Sequence, residues 1–188
     1  SASPGYYKVN LYDYDITAEL TATTRTGIQR YTFPEAEEAY ILFDLKFPTE
    51  YGFDVLDAEI RKVDENQIEG YVKQQSTNWN EYTVHFVTQL SKPFQSMDGW
   101  VNNQTKRDVQ IISGSGDMGA ALRYSTTADE QIVMKTGISL VSIDQARLNL
   151  EEETGDFGLD FDAARAEATK VWNDLLNIIE VEGGTEAD

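Results

Sequence analysis

Cysteine is absent from the 188 residues, and histidine occurs once, at His85. The first absence excludes disulfides, thiolate metal sites and a cysteine nucleophile, and leaves the compartment open. With one histidine, a His-rich metal site has no material. A Ser-His-Asp triad would need His85 in a cleft with partners, whereas it falls within a strand pattern and reads as structural or solvated. Basic side chains are also scarce: 15 Lys and Arg stand against 33 Asp and Glu, a formal charge of -18. Such a surface repels phosphate backbones and anionic bilayers, so no nucleic-acid partner is expected, while neutral ligands such as sugars meet no penalty. No apolar run approaches the roughly 20 residues that cross a bilayer, so membrane insertion is not expected.

What is present points to strands. The chain is long enough for one domain with a real core. Its 10 Tyr, 8 Phe and 3 Trp suit sheets and surfaces that meet a partner. Ile16, Ala18, Leu20 and Ala22 alternate with Thr17, Glu19, Thr21 and Thr23, the period of a half-buried strand. Tyr6 to Tyr12 precedes it, and Arg25-Thr26-Gly27 turns into Ile28 to Phe33. Ala39 to Leu45 is a continuous apolar run and predicts a central strand buried on both faces. Leu56 to Val63 and Gln67 to Gln75 predict a hairpin, and Tyr82 to Leu90 a further strand. Asp108 to Ser113, Gly119 to Ser125 and Gln131 to Ser139 complete the set. Short strands at this spacing predict a mainly β fold, an antiparallel sandwich or barrel.

The pattern changes near Ser142, which splits the chain into a β-sandwich over 1–141 and a helical segment over 142–188. Ser142 and Gln145 have the spacing of a capping box, and Ile143, Ala146 and Leu150 share a helical face. Asp160 is placed to cap a longer helix. On it Phe161, Ala164, Ala168, Val171, Leu175 and Ile178 form an apolar stripe, widened by Trp172, Leu176 and Ile179. Part of that stripe has room to pack on the sandwich while the rest faces another domain, which marks Val171, Trp172 and Leu175 as domain-interface candidates.

Few residues point to chemistry. Gly114 to Gly119 is glycine-rich but lacks the Lys-Ser/Thr pair of a phosphate loop, and reads as a flexible connection. Asp13 and Asp15, and the acidic stretch Glu151 to Asp162, do not fit calcium-loop spacing, so no metal ligand is assigned. Trp79 and Trp100 lie among Asn, Asp and Ser in loop-like surroundings, as a sugar-stacking platform would, although each indole also suits a core or domain contact.

Longer motifs carry a resemblance. Ala2-Ser3-Pro4-Gly5-Tyr6-Tyr7-Lys8-Val9, Ala18 to Gly27 and Arg30-Tyr31-Thr32-Phe33-Pro34 occur in order. They are followed by Gly137 to Ser142, Gln145 to Leu150, Phe161-Asp162 and Val171 to Leu176. Together they resemble the N-terminal domain of glycoside hydrolase family 92, calcium-dependent exo-α-mannosidases. The resemblance implies a supersandwich-type β fold whose terminal helices lead to an (α/α)6 catalytic barrel. It also implies inverting hydrolysis, with the catalytic acid, base and most calcium ligands in that barrel, so no catalytic or metal residue is carried onto this chain. The chain resembles a piece that starts within the family's N-terminal domain, with any export signal lying outside it.

The expected role is an accessory domain of an α-1,2-mannosidase-like enzyme, inactive alone and of marginal stability. It would form one wall of a site for mannose-containing glycans and support the barrel. Calcium is expected for the parent and no cofactor for this chain. The resemblance places the parent in the periplasm, at the cell surface or outside the cell. Arg25, in the Thr-Arg-Thr-Gly turn, is the polar candidate for a cross-domain contact, against the simpler role of bracing its turn. Two other classes remain open: a free-standing carbohydrate-binding module, and a structural sandwich with no sugar affinity.

Overall fold

A computed structural model describes residues 1–46, 52–76, 80–179 and 183–184. Its strands are β1 (Ala2–Ser3), β2 (Tyr6–Leu11), β3 (Ile16–Ala22), β4 (Thr26–Phe33), β5 (Ala36–Asp44), β6 (Phe53–Lys62) and β7 (Gln67–Ser76). They continue with β8 (Glu81–Leu90), β9 (Ser96–Val101), β10 (Gln104–Lys106), β11 (Ile111–Gly114), β12 (Met118–Thr126) and β13 (Glu130–Ser139). Two helices follow, α1 (Ile143–Thr154) and α2 (Phe161–Leu176).

Alternation along the strands produces three layers. A nine-stranded antiparallel sheet runs β1-β2-β3-β4-β13-β8-β7-β6-β11, and a four-stranded sheet runs β10-β9-β12-β5. Strand β13 shows the logic. Ile132 and Met134 enter the core shared with the small sheet, where they join Ile60, Ile68, Phe86, Met97, Leu122 and Tyr124. Val133 and Gly137, one step out of phase, face the helices instead. Val87 on β8 packs against Ala146 and Leu150 of α1. Tyr6 and Ile28 pack against Phe161 and Ala164 of α2. The large sheet is thus apolar on both faces.

Local chemistry sets the element ends. Asp15, Asn102 and Asp129 take positive φ of 52°, 53° and 58° in tight connections, a conformation that short polar side chains tolerate. Ser142 Oγ accepts from Gln145 N at 3.0 Å, half of a capping box. The Gln145 amide donates to Asn149 Oδ1 rather than back to the cap. Asp160 Oδ1 accepts from the backbone N–H groups of Asp162 and Ala163 and starts α2.

Two expectations are corrected. Ala39–Leu45 was expected to be central and doubly buried, but β5 is the edge of the small sheet. Ala39 and Ile41 enter the core, while Tyr40 and Leu42 are exposed on the other face. The loop expected around Trp100 is β9, joined to β10 by a turn at Asn102.

Gly137 allows α1 to lie against the sheet. A Cβ there would fall 2.6 Å from Ala146 O and 2.7 Å from Leu150 Cβ. Gly137→Ala is expected to lower stability by about 1–3 kcal/mol through overpacking, measured by urea unfolding.

Candidate functional site

The helical layer is held to the sheet by carboxylates, Glu19 and Glu69 buried and Glu153 half-buried, each gripped by arginine. Under α2, Glu19 accepts from Tyr6 Oη at 2.6 Å and from Arg30 Nε at 2.8 Å. Arg30 reaches on to Asp162 at 2.9 Å, and its guanidinium lies 4.5 Å from the Phe161 ring centre. The Arg165 guanidinium covers the Tyr6 ring at 3.6 Å. Under α1, Glu69 is shared by Arg61 of β6 and Arg147 of the helix. At the end of α1, Glu153 accepts from Thr23 Oγ1 at 2.5 Å, from Arg25 N at 2.8 Å and from Arg25 Nε at 2.6 Å.

These partners set the carboxylate acidities. Arg30 pulls Glu19 below its ordinary range, against the opposing effect of burial. Burial pushes Glu69 and Glu153 upward, but their hydrogen bonds outweigh it and hold both low. Lys135 is the opposite case. Burial lowers its pKa, Glu151 opposes the shift, and its ammonium donates to Thr154 Oγ1 at 2.8 Å.

The residues singled out in the sequence fall in different layers. Arg25 sits on the β3–β4 turn, ion-paired to Glu153 with its side chain 47% exposed. It borders a cleft of about 530 Å³ with Val84, Ile138, Leu140, Val141 and Gln145. Trp172 borders a neighbouring depression with Gly5, Tyr6, Ala22 and Gly27. The β3–β4 turn therefore stands between the two clefts. Trp100 lies on the outer face of the small sheet, on the far side of the stack, because Met97 before it points into the core. Its indole donates to Asp117 Oδ1 at 3.0 Å, and its ring covers Gly119, where a Cβ would lie 2.3 Å away. Arg25 and Trp100 are thus not brought to one site, and Trp79 lies outside the described residues. His85 Nδ1 lies 3.3 Å from the Ser139 carbonyl, with its ring beside Tyr71.

The described length of α2 divides in two. Phe161, Ala164 and Ala168 are buried on β2, β3 and β4. Val171, Trp172 and Leu175 continue the same stripe but stand 49%, 46% and 59% exposed. The helix ends at Leu176, where Asn177 N–H bonds Asn173 O, short of the Ile179 that the stripe reaches in sequence. Exposed Leu140 and Val141 add apolar surface where β13 leads into α1. Sequence reasoning missed the buried carboxylates Glu19 and Glu69. Their one visible signal was a charged residue inside a strand pattern.

The described residues thus form a helix-backed antiparallel β-sandwich. The chain belongs to glycosyl hydrolase family 92: the profile of the family's N-terminal domain matches residues 1–139. A family 92 α-mannosidase from Bacteroides thetaiotaomicron shares 29% identity and superposes with a TM-score of 0.82, over 98% of this chain and 25% of that one. An inverting family 92 mannosidase from the same species has the same fold at 22% identity, TM-score 0.82, over 98% of this chain and 24% of that one. An uncharacterized secreted glycosidase from Arthroderma benhamiae is 26% identical over all of this chain and 26% of its own length. The chain therefore spans about a quarter of the relatives it matches.

Acid should loosen the helical layer. Glu19, Glu69 and Glu153 have lowered folded-state pKa values, so their contribution is full above the unfolded value of about 4.3 and is lost as pH falls through the folded values. Helical circular dichroism is expected to fall on acidification below roughly pH 4. Glu69→Gln should weaken the fold at neutral pH by about 1–3 kcal/mol, since it leaves Arg61 and Arg147 poorly matched.

Proposed function

We propose that this chain is the accessory N-terminal β-sandwich of an α-1,2-mannosidase-like glycoside hydrolase, forming one wall of the sugar site and bracing an (α/α)6 catalytic barrel. The observation that carries this reading is the distal half of α2. Val171, Trp172 and Leu175 extend an apolar stripe past the sheet that buries its first half, in a chain a quarter the length of its solved relatives. Exposed apolar surface of this kind marks a missing partner. The clefts beside Arg25 and Trp172 lie at the same end, so the barrel would seat on the β3–β4 turn, Leu140, Val141 and distal α2.

Catalysis belongs to the remainder of the polypeptide. Inverting hydrolysis needs an acid that protonates the leaving oxygen and a base that activates water on the opposite face. The carboxylates buried here are committed to arginine and are not available for that work. Calcium is expected for the parent enzyme. The relative described as a secreted glycosidase supports an exported parent, periplasmic, cell-surface or extracellular. Mannose-containing glycans are then the parent's substrates.

Three measurements test this reading. The full-length polypeptide should release mannose from α-1,2-mannobiose with net inversion by NMR, and residues 1–188 alone should release none; release by the short chain would sink the proposal. Leu175→Asp should cost the full-length enzyme roughly 1–3 kcal/mol and the short chain less than about 0.5 kcal/mol. Arg25→Ala in the full-length enzyme should lower kcat/KM at least ~10-fold if Arg25 contacts the barrel or the sugar. Unchanged turnover with a modest drop in stability would confine Arg25 to its Glu153 contact.

A further inference from the structure

The outer face of the small sheet carries an aromatic platform. Asp44 of β5, Gly119 of β12, Trp100 of β9 and Thr105 of β10 are successive cross-strand partners, so one row of residues crosses all four strands. Met97 and Val101 enter the core out of phase with Trp100, which puts that row on the opposite face. The benzenoid part of the indole fills the space of the side chain that Gly119 lacks, since a Cβ there would lie 2.3 Å from Cζ2 and 2.4 Å from Cη2. The indole N–H donates to Asp117 Oδ1 at 3.0 Å, and Asp117 is held in turn by hydrogen bonds to the backbone and side chain of Asn102. The ring is thus laid over the sheet and fixed at its edge, yet it is only half-buried. Asp98, two residues before Trp100 on the same face, accepts from Asp108 N–H at 2.9 Å through one carboxylate oxygen and leaves the other for a further donor.

We propose that this row is a glycan-binding surface, separate from the catalytic site, that takes a neutral hexose oligosaccharide. The apolar C–H face of a pyranose would stack on the Trp100 ring, whose π face is negative. Its hydroxyls would donate to the carboxylates of Asp44, Asp98 and Asp117. The row spans roughly 14 Å, three strand spacings, which is long enough for more than one sugar ring. Charge selects the occupant. Three carboxylates around one ring, on a chain of formal charge -18, repel nucleic acids, anionic lipids and acidic polysaccharides, whereas a neutral polyol meets only acceptors. A protein partner is a poor fit, because one indole among aspartates cannot supply the apolar centre of an interface of about 1,000 Å² or more. Covering Gly119 would need only an apolar ring, so the anchored N–H and the flanking acceptors are the features that a sugar explains. The choice of mannose for the probe rests on the mannosidase reading; the platform itself does not.

The test uses the full-length polypeptide labelled with fluorotryptophan, the Trp100 resonance being assigned by its loss in Trp100→Phe. Titration with an S-linked α-1,2-mannotriose, which glycosidases do not cleave, should shift that resonance saturably, with a Kd of roughly 0.1–5 mM. Asp98→Ala should weaken the Kd at least ~5-fold. A Trp100 resonance that stays fixed at ~20 mM probe would overturn the proposal. So would an affinity unchanged by Asp98→Ala, which would mark unspecific contact. A Trp100 resonance shielded from a soluble paramagnetic agent would overturn it too, because another part of the polypeptide would then cover this face. Release of mannose from α-1,2-mannobiose is scored apart. A polypeptide that releases mannose while its Trp100 resonance stays fixed fails this inference alone, and a shifted resonance without mannose release leaves it standing.

Discussion

The architecture depends on one sheet that is apolar on both faces. Strands β4, β13 and β8 send alternate residues into two different cores, so the same strands hold the small sheet on one side and the helices on the other. A sheet so constrained has little freedom of register, because a one-residue slip would exchange the two cores. Gly137 shows how closely the second core is fitted, since no Cβ has room beneath α1. The helices are consequently an integral third layer over at least half their length, and the boundary drawn near residue 142 marks a change of element type more than a separation between bodies.

The charge takes on structural meaning when the buried carboxylates are followed. A chain with 33 acidic and 15 basic residues has cations to spare for only a few places. Arg30, Arg61 and Arg147 are used where a carboxylate would otherwise be buried alone, at Glu19 and Glu69. An unpaired buried carboxylate would cost several kcal/mol, so these pairs avoid a penalty more than they add stability. Both clusters join a strand to a helix, which ties the third layer to the sheet by geometry that apolar contact alone does not specify.

Much of this was legible from residue pattern. Strand β3 was read from strict alternation and spans Ile16–Ala22 as expected, and the helix starts at Ser142 and Asp160 follow from their caps. The family resemblance rested on several ordered motifs and agrees with the profile match over 1–139. Periodicity failed where one face of an element is covered by nothing in the chain. Ala39–Leu45 looks doubly buried because Tyr40 and Leu42 are apolar, yet both are exposed on an edge strand. Strand β9 was hidden by Asp98 and Gly99, since Gly99 leaves room for Ile112 and no β-branched run announces the strand. The candidate site was less legible than the fold. Sequence spacing does not show that Arg25 and Trp100 lie on opposite sides of a three-layer stack.

The unpartnered surfaces share one composition. Leu42 on β5, Tyr7 and Leu11 on β2, and Val171 and Leu175 on α2 all have the composition of core and the exposure of surface. Selection for solubility in an isolated domain would replace such residues with polar ones, and a chain this acidic has no shortage of them. They lie in two separate places, the sandwich edge and the helix end. A module built to bind a free glycan needs one open face. A domain wedged between other parts of one polypeptide, as the proposed function has it, would need two, and the apolar surface at β5 and on distal α2 fits that arrangement.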